Sequence, residues 1–232
     1  MSGGAASDDA GVLDLLAARA LVLTEEALVL GLGSGRAASA FIRALGRRVR
    51  AGRSARGVAT SEASARLARE LGIALAGLDE VEVDVTVDGA DEVDPALDLI
   101  KGYGGALVRE RIVAAASRRQ IILVGAEKLV PVLGSRGRLP IEIVPFALPV
   151  AMRRVAELGH RPELRTAEGR PFLTDNGNLI LDCGVTPIRD AAALERELRS
   201  IPGVVDTGLF LGTAETVLVS ADGAVRELRR GR

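Results

Sequence analysis

Short apolar segments alternate with helical patterns through the first half of the chain, and this alternation limits the folds that the chain can adopt. The strand patterns cover 27–30, 57–59, 81–87 and 121–124, and the helical patterns cover 37–45, 61–71 and 104–117. Alternation of this kind favours a parallel sheet with helices on both faces. The sequence therefore predicts an α/β fold with a Rossmann-like first domain.

The pattern changes near Pro140, where short strands come closer together. Strand patterns cover 139–144, 161–165, 178–182, 203–210 and 216–220, and helical patterns cover 148–158 and 190–199. We interpret 138–206 as a smaller α+β, ferredoxin-like insert domain. The catalytic domain is then predicted to comprise 1–137 together with 207–232.

The charge and hydrophobicity of the chain disfavour nucleic-acid and membrane partners. Its 232 residues carry a formal net charge of -1 and are 48% hydrophobic, which favours neither a polyanion nor an anionic membrane surface. No apolar run approaches the roughly 20 residues that cross a bilayer. The segment 1–11 lacks the basic and apolar regions of a secretory signal. We therefore expect a cytoplasmic protein with a frayed N-terminal tail.

The chain has one cysteine, one histidine and two lysines, and these counts restrict its chemistry. Cys183 and His160 alone cannot form a zinc site of the usual kind, and they disfavour a Ser-His or Cys-His nucleophile. Acid–base catalysis would then depend on Asp, Glu, Lys or Tyr. Cys183 lies in an apolar run and is expected to be a buried structural thiol. Because the other basic residues are arginines, Lys101 and Lys128 are candidates for a role that needs a compact ammonium group.

A glycine-rich loop follows the first strand pattern. Gly31, Gly33 and Gly35 precede a helical pattern, and the free N–H groups at a helix start attract anions. A dinucleotide loop would carry Gly or Ala where this chain has Arg36, and the ribose-binding acid is missing from 52–57. The loop therefore predicts either a site for a single phosphate on a small metabolite or a plain strand-to-helix turn.

Three further polar segments come after strand patterns or before a helix, where ligands bind in open α/β sheets. Residues 88–94 carry four acids whose spacing does not match a calcium loop. They could supply a general acid, because clustered carboxylates raise one another's pKa, or form a solvated turn. Residues 101–105 are glycine-rich and lead into a helix with Glu110, which taken alone is interpreted as a surface residue. Lys128 follows the strand that ends at Val124.

These segments, in this order, resemble the type A ribose-5-phosphate isomerase family. The resemblance extends from Gly31 to about Gly212. It rests on the motifs GLGSG at 31–35, DGADEVDP at 88–95, LIKG at 99–102, GGAL at 104–107, Arg109-Glu110, Glu127-Lys128, PIEIVP at 140–145, TDNGN at 174–178 and IPGVV at 201–205.

The resemblance implies interconversion of D-ribose 5-phosphate and D-ribulose 5-phosphate through an enediol, in the non-oxidative pentose phosphate pathway. It implies that Glu110 moves the proton between C1 and C2, and that Asp88 assists ring opening. Asp91 would hold the sugar hydroxyls, Lys101 would stabilise the enediolate oxygen, and Lys128 would contact the substrate. The further substrate-binding residues that it implies are Gly33, Ser34, Gly35, Arg36, Ala37, Gly89, Ala90, Gly102, Tyr103 and Gly104.

The resemblance also implies no metal, no organic cofactor, a small-molecule sugar phosphate as ligand, and a homodimer or homotetramer. Departures from the family pattern leave the substrate open. Gly35 is followed by Arg36-Ala37 where the family commonly has Ser-Thr, and the position of an N-terminal family lysine is Leu13. We hypothesise that Arg36 replaces these phosphate contacts. Tyr103 stands in a loop that is usually all glycine, where it either caps the sugar and shifts specificity or is a neutral variant. The alternatives are an isomerase of a different sugar phosphate and a non-catalytic sugar-phosphate-binding regulator.

Overall fold

The structure is a computed structural model that describes the backbone of residues 4–231 and the side chains of residues 11–231. The α-helices in this range are α1 (Gly4–Leu23), α2 (Gly35–Arg50), α3 (Glu62–Glu70), α4 (Leu107–Ala115), α5 (Leu148–Glu157) and α6 (Ala191–Arg199). The β-strands are β1 (Val29–Leu32), β2 (Arg56–Ala59), β3 (Ala74–Leu75), β4 (Val85–Gly89), β5 (Glu92–Val93), β6 (Leu99–Ile100), β7 (Gln120–Gly125), β8 (Arg138–Ile143), β9 (Arg161–Leu164), β10 (Thr166–Ala167), β11 (Arg170–Pro171), β12 (Leu179–Gly184), β13 (Val204–Thr207), β14 (Leu209–Phe210), β15 (Thr216–Ala221) and β16 (Ala224–Arg229).

The chain divides into two compact units. Unit 1 consists of the described parts of Met1–Ala90, Arg109–Lys128 and Thr213–Arg232, and unit 2 consists of Asp91–Val108 and Leu129–Gly212. Unit 2 thus contains the predicted insert, 138–206, together with flanking residues. It also contains Asp91–Val108, which includes the glycine-rich segment 101–105. The domain boundary at 138 and 206 stays a prediction.

Unit 1 is built on a seven-stranded sheet with the order β16-β15-β7-β4-β1-β2-β3. Neighbouring strands are parallel, apart from the β15–β16 hairpin. With β16 set aside, this is the strand order of a dinucleotide-type Rossmann sheet, 3-2-1-4-5-6. The α/β, Rossmann-like fold is therefore confirmed, and β15 and β16 belong to this sheet.

The two faces of this sheet carry different helices. Val85 and Val87 of β4 face the core that α1 and α2 cover, where the buried side chains include Leu16, Ala20, Phe41, Ile42 and Leu45. Thr86 faces the other way, and its hydroxyl lies 3.5 Å from the carbonyl oxygen of Val113 in α4. Because strand side chains alternate between faces, Asp88 lies on the same face as Thr86 and α4.

Unit 2 contains a four-stranded sheet with the order β13-β8-β12-β9, all of whose pairs are antiparallel. Its elements follow one another as β8-α5-β9-β12-α6-β13, which is the ferredoxin-like arrangement that the sequence predicted. The apolar side chains between the sheet and the helices include Leu139, Ile141, Ile143, Val155, Leu181 and Leu198. Unit 2 also contains a separate three-stranded sheet with the order β14-β6-β5. The glycine-rich segment 101–105 directly follows β6.

The expected frayed tail at 1–11 is wrong for the residues that the structure describes, because α1 begins at Gly4. Leu16, Ala17 and Ala20 of this helix are buried in the unit 1 core, and this packing stabilises the helix although Gly, Ser and Asp in its first turns have low helix propensity. The first three residues lie outside the described part of the chain. Among the described helices, none combines the length and the apolar character that crossing a membrane requires.

Candidate active site

The first glycine loop, which we define as residues 33–37, is fixed to Asp88 at the carboxyl end of β4. The Asp88 Oδ1 atom accepts hydrogen bonds from the backbone N–H groups of Ser34, at 3.0 Å, and Gly89, at 2.8 Å. A Cβ atom at Gly33 would lie 2.2 Å from this oxygen, so the close approach requires glycine. Gly35 has a φ of 83° and turns the chain into α2. The structure therefore brings together two segments that sequence patterns had indicated separately.

The Ser34 hydroxyl connects this loop to the neighbouring strand end. It lies 2.8 Å from the Thr60 hydroxyl and 2.8 Å from the Ser61 hydroxyl. Thr60 donates in turn to the carbonyl of Leu32, and Ser61 caps α3 through the N–H of Ser64. The sequence analysis did not identify Thr60 and Ser61 as site residues. Their signal is the pair of hydroxyls after β2, at the same edge of the sheet as the first glycine loop.

Glu110 lies in the first turn of α4, and its side chain is buried. It precedes Val113 by three residues, so both side chains lie on the same face of the helix. Val113 packs against Val58 and Val83. Because α4 leads into β7, which is parallel to β4, its N-terminus lies at the carboxyl edge of the sheet. Glu110 is thus directed to the sheet face and edge where Asp88 lies, and the interpretation of Glu110 as a surface residue is wrong.

The remaining predicted residues of unit 1 lie around the same edge. Arg36 is exposed in the first turn of α2, and Ala37 follows it. A Cβ atom at Gly89 would lie 4.0 Å from the Ala37 Cβ, so the end of β4 reaches the start of this helix. Ala90 follows directly. Lys128 ends the short 3₁₀ turn after β7 and is partly buried.

In unit 2, Asp91 is joined to the second glycine loop, which we define as residues 101–105. The Asp91 Oδ2 atom accepts a hydrogen bond of 2.9 Å from the backbone N–H of Tyr103. The backbone N–H of Asp91 donates to the carbonyl of Ile100 at 2.8 Å. The orientation of Asp91 therefore depends on the conformation of the second glycine loop.

Lys101 is buried at the start of this loop. Its backbone N–H donates to the carbonyl of Gly208 at 2.9 Å, and its Nζ atom lies 5.5 Å from the ring centroid of Phe210. An ammonium group over an aromatic face gains electrostatic stabilisation in a desolvated position. Gly102 is buried and has a φ of 103°. Gly104 is exposed, and a Cβ atom added to it would lie in open space.

The Tyr103 side chain is held by protein groups. Its hydroxyl donates to the carbonyl of Arg138 at 3.1 Å, and the Arg138 guanidinium carbon lies 4.2 Å from the ring centroid. Burial raises the pKa of Tyr103 to about 12, and the negative charges of Glu92 and Asp91 add to this effect. The phenol is therefore neutral and remains a hydrogen-bond donor at physiological pH.

Arg165 and Asp182 form a partly buried ion pair in unit 2. Arg165 donates from Nε and Nη2 to the two carboxylate oxygens of Asp182, at 2.8 and 2.5 Å. Its Nη1 atom donates to the carbonyl oxygens of Gly102, at 3.0 Å, and Tyr103, at 3.1 Å. No sequence pattern indicated this cluster, because its members are separated by 17 to 63 positions and only the fold brings them together.

Two further acids of the segment 88–94 accept hydrogen bonds from backbone groups of the protein. Glu92 accepts hydrogen bonds from the N–H groups of Gly134 and Arg136, and Asp94 accepts from those of Ala96 and Asp98. Among the described residues, no group of three or more His, Cys, Asp or Glu side chains is arranged to hold a metal ion.

Cys183 is buried, as predicted. Burial raises the pKa of its thiol to about 12, with a smaller contribution from Asp182. The thiol is therefore protonated and unreactive at neutral pH.

Comparisons with known proteins agree with the sequence resemblance. The model of the family described as ribose 5-phosphate isomerase A (phosphoriboisomerase A) matches residues 56–223. The ribose-5-phosphate isomerase A of Thermomicrobium roseum is 48% identical over 213 residues, which cover 90% of this chain and 90% of that protein.

Two solved structures share the fold over nearly the whole chain. Ribose 5-phosphate isomerase A from Methanocaldococcus jannaschii has a TM-score of 0.90 and 38% identity, and the match covers 94% of this chain and 98% of that one. A D-ribose-5-phosphate isomerase in complex with phospho-erythronic acid has a TM-score of 0.91, 39% identity and the same coverage. The chain belongs to the ribose 5-phosphate isomerase A family.

Proposed function

We propose that the chain interconverts D-ribose 5-phosphate and D-ribulose 5-phosphate through an enediol, with Glu110 as the catalytic base. The observation that carries this proposal is the burial of the three ionisable side chains to which the family resemblance assigns proton transfer or charge stabilisation. Asp88, Lys101 and Glu110 are 0%, 2% and 5% exposed. Such side chains are rarely buried in proteins because their desolvation is costly, and where they are buried they are candidates for function.

The reaction is a balanced proton transfer. One proton leaves C2 of the open-chain aldose and arrives at C1, while the hydroxyl proton on O2 is lost and O1 gains one. The Glu110 carboxylate takes the C2 proton and returns it to C1. Negative charge that develops on oxygen in the enediolate is stabilised by the Lys101 ammonium group, whose buried position strengthens the interaction.

Asp88 assists ring opening by exchanging a proton with the sugar oxygens. Its position supports this role, because Ser34 and Gly89 fix the carboxylate through backbone donors. Asp91, fixed by the N–H of Tyr103, holds the sugar hydroxyls.

The first glycine loop and Lys128 bind the phosphate. The Ser34 side chain does not cap α2, the dipole at the start of this helix favours an anion there, and Arg36 adds a positive charge. A relative of 39% identity was solved with phospho-erythronic acid, a phosphorylated polyhydroxy acid, which supports a phosphorylated sugar as the ligand of this chain. The remaining substrate contacts that we propose are the backbone groups of Gly33, Gly35, Ala37, Gly89, Ala90, Gly102, Tyr103 and Gly104.

We also propose that the protein works in the cytoplasm, in the non-oxidative pentose phosphate pathway, as a homodimer or homotetramer without a metal or organic cofactor. The family resemblance supports these assignments. Light scattering of the purified protein measures the oligomeric state, and a monomer at micromolar concentration would contradict it.

The test of the reaction is a substrate panel followed by NMR. Ribose 5-phosphate, arabinose 5-phosphate, glucose 6-phosphate and unphosphorylated ribose are each incubated with the protein, and ketose formation is recorded. We expect turnover of ribose 5-phosphate. The kcat/KM for unphosphorylated ribose should be lower by at least roughly a hundredfold, because this sugar cannot make the phosphate contacts. Preferential turnover of another phosphate would support an isomerase of a different substrate. Binding of the sugar phosphates without turnover of any of them would support a regulator.

A further inference from the structure

One arginine of unit 2 supports two consecutive peptide groups of the second glycine loop. The Nη1 atom of Arg165 donates to the carbonyl oxygens of Gly102 and Tyr103. These are the residues directly after Lys101, and the N–H of Tyr103 is the group that holds Asp91. A single guanidinium therefore contacts a short backbone segment that directly follows Lys101 and binds Asp91, two residues that we place in the active site.

Arg165 is itself held in one orientation. Its other donors form a bidentate pair with Asp182, and the side chains of Arg165 and Asp182 are only 10% and 16% exposed. The guanidinium carbon lies 5.8 Å from the ring centroid of Phe172. A planar fork with several donors can hold a carboxylate and two carbonyls at once, whereas the compact ammonium group of lysine cannot reproduce this geometry.

Asp182 also contacts a second arginine. Its Oδ1 atom lies 3.2 Å from the Nε atom of Arg138, whose guanidinium stacks on the Tyr103 ring. The same carboxylate thus contacts one arginine that binds the loop backbone and another that lies against a loop side chain.

The loop needs such support because its own backbone is permissive. Gly102 and Gly105 have φ values of 103° and 86°, in the region that favours glycine, and Gly104 is exposed. Glycine loses more conformational freedom on ordering than any other residue, so a loop rich in glycine is costly to hold in one conformation.

We propose that Arg165, anchored by Asp182, is a positioning residue of the isomerase that fixes the second glycine loop and thereby sets the positions of Lys101 and Asp91. This inference rests on the proposed function for the roles of those two residues. It assigns no contact with substrate to Arg165. Displacing Lys101 weakens stabilisation of the enediolate and lowers kcat, whereas displacing Asp91 weakens sugar binding and raises KM.

The test compares Arg165→Lys with Arg154→Lys, a matched change at an exposed ion pair with Glu157 on α5. At a temperature where both variants are folded by circular dichroism, we expect Arg165→Lys to lower kcat by roughly tenfold or more, because small misplacements of catalytic groups are costly. Arg154→Lys should keep wild-type kcat and KM. If Arg165→Lys does not fold, Asp182→Asn, which weakens the anchor and leaves the guanidinium, is measured in its place.

A double-mutant cycle separates positioning from general destabilisation. In a Lys101→Met background the catalytic consequence of a displaced ammonium group is already lost, so Arg165→Lys should lower kcat by less than about twofold. The same tenfold loss in both backgrounds would overturn the proposal, because a merely structural residue acts regardless of Lys101.

Hydrogen exchange provides a readout that does not depend on turnover. We expect the amides of Gly104 and Gly105 to exchange at least roughly tenfold faster in Arg165→Lys than in the wild type, with rates in α5 unchanged. Unchanged exchange in the loop would overturn the proposal. Failure of the proposed function is a different result, namely a wild-type protein that forms no ketose from ribose 5-phosphate.

Discussion

The two glycine loops are held in place in opposite ways. The first, at 33–37, is fixed by a helix start, by a glycine without room for a Cβ atom, and by the Asp88 carboxylate, which accepts backbone N–H groups. The second, at 101–105, is supported by Arg165, which donates to backbone carbonyl oxygens and is paired with Asp182. The difference teaches that similar glycine-rich sequences can depend on steric fit in one place and on a partly buried ion pair in another.

The largest effect should come from removing the anchor of the second glycine loop. Asp182→Asn leaves the guanidinium groups of Arg165 and Arg138 beside a side chain that no longer carries a negative charge, and losing the charge-assisted hydrogen bonds of this partly buried pair costs about 3 kcal/mol of unfolding free energy. Urea unfolding measures the loss. The control is Glu157→Gln, which removes the exposed partner of Arg154 and should cost about 0.5 kcal/mol or less. Equal losses in the two variants would contradict the role of Asp182.

The first glycine loop should be disrupted by a steric clash rather than by the loss of a charge. In Gly33→Ala the new Cβ would lie 2.2 Å from Asp88 Oδ1 and 2.6 Å from its Cα, so the carboxylate or the loop must move. We expect kcat/KM to fall about 100-fold, which corresponds to about 2.7 kcal/mol. Gly11→Ala, which places its Cβ in open space on α1, serves as the control and should retain activity. Wild-type kcat/KM in Gly33→Ala would refute the tight fit.

Charge at the first glycine loop can be tested separately from its shape. Arg36→Ala keeps the backbone but removes the cation at the start of α2, and we expect KM for ribose 5-phosphate to rise about fivefold with kcat within about twofold. Arg43→Ala, an exposed change further along the same helix, should leave both constants unchanged. If phosphate affinity is the same in Arg36→Ala as in the wild type, Arg36 does not replace the missing hydroxyls.

The smallest effect concerns the Tyr103 hydroxyl in the second glycine loop. Tyr103→Phe removes the hydrogen bond to the Arg138 carbonyl and should cost about 1 kcal/mol of unfolding free energy at neutral pH. The folded-state pKa of Tyr103 is raised to about 12, above the usual value of about 10, so the neutral phenol stabilises the folded state. This contribution is complete below pH of about 10 and is lost as the pH rises toward 12, so the difference between the two proteins should shrink across that window.

Tyr103 is the sole tyrosine of a chain without tryptophan, so absorbance at 295 nm reports its ionisation directly. A titration midpoint near 10 in the folded protein would contradict the burial and hydrogen bonding described for this side chain.

The fold was largely predictable, because strand–helix alternation and hydrophobic periodicity are local properties of the sequence. The prediction failed at α1, whose early residues are small and polar, and it missed β16, which alternates only weakly and lies at the sheet edge. Both elements are fixed by packing on the rest of unit 1 rather than by their own pattern.

The candidate site was predictable in its motifs but not in its supports. The glycines, acids and lysines stand in short ordered blocks, so a resemblance could identify them. The partners that hold them, Thr60 and Ser61 for Ser34, and Arg165 for the second glycine loop, are adjacent only in the folded chain. The sequence also misplaced Glu110 at the surface, because a lone acid early in a helix gives no sign of the sheet that covers it.

The most direct test of the account is the rate of ketose formation from ribose 5-phosphate by the wild type and Glu110→Gln, each measured in excess EDTA. The two side chains are nearly the same size, so the variant removes the base with little change in packing. The account predicts that wild-type turnover is unaffected by EDTA and that kcat of the variant falls by roughly a hundredfold or more. A variant with wild-type kcat would contradict the assignment of Glu110 as the base, and loss of wild-type activity in EDTA would contradict a metal-free reaction.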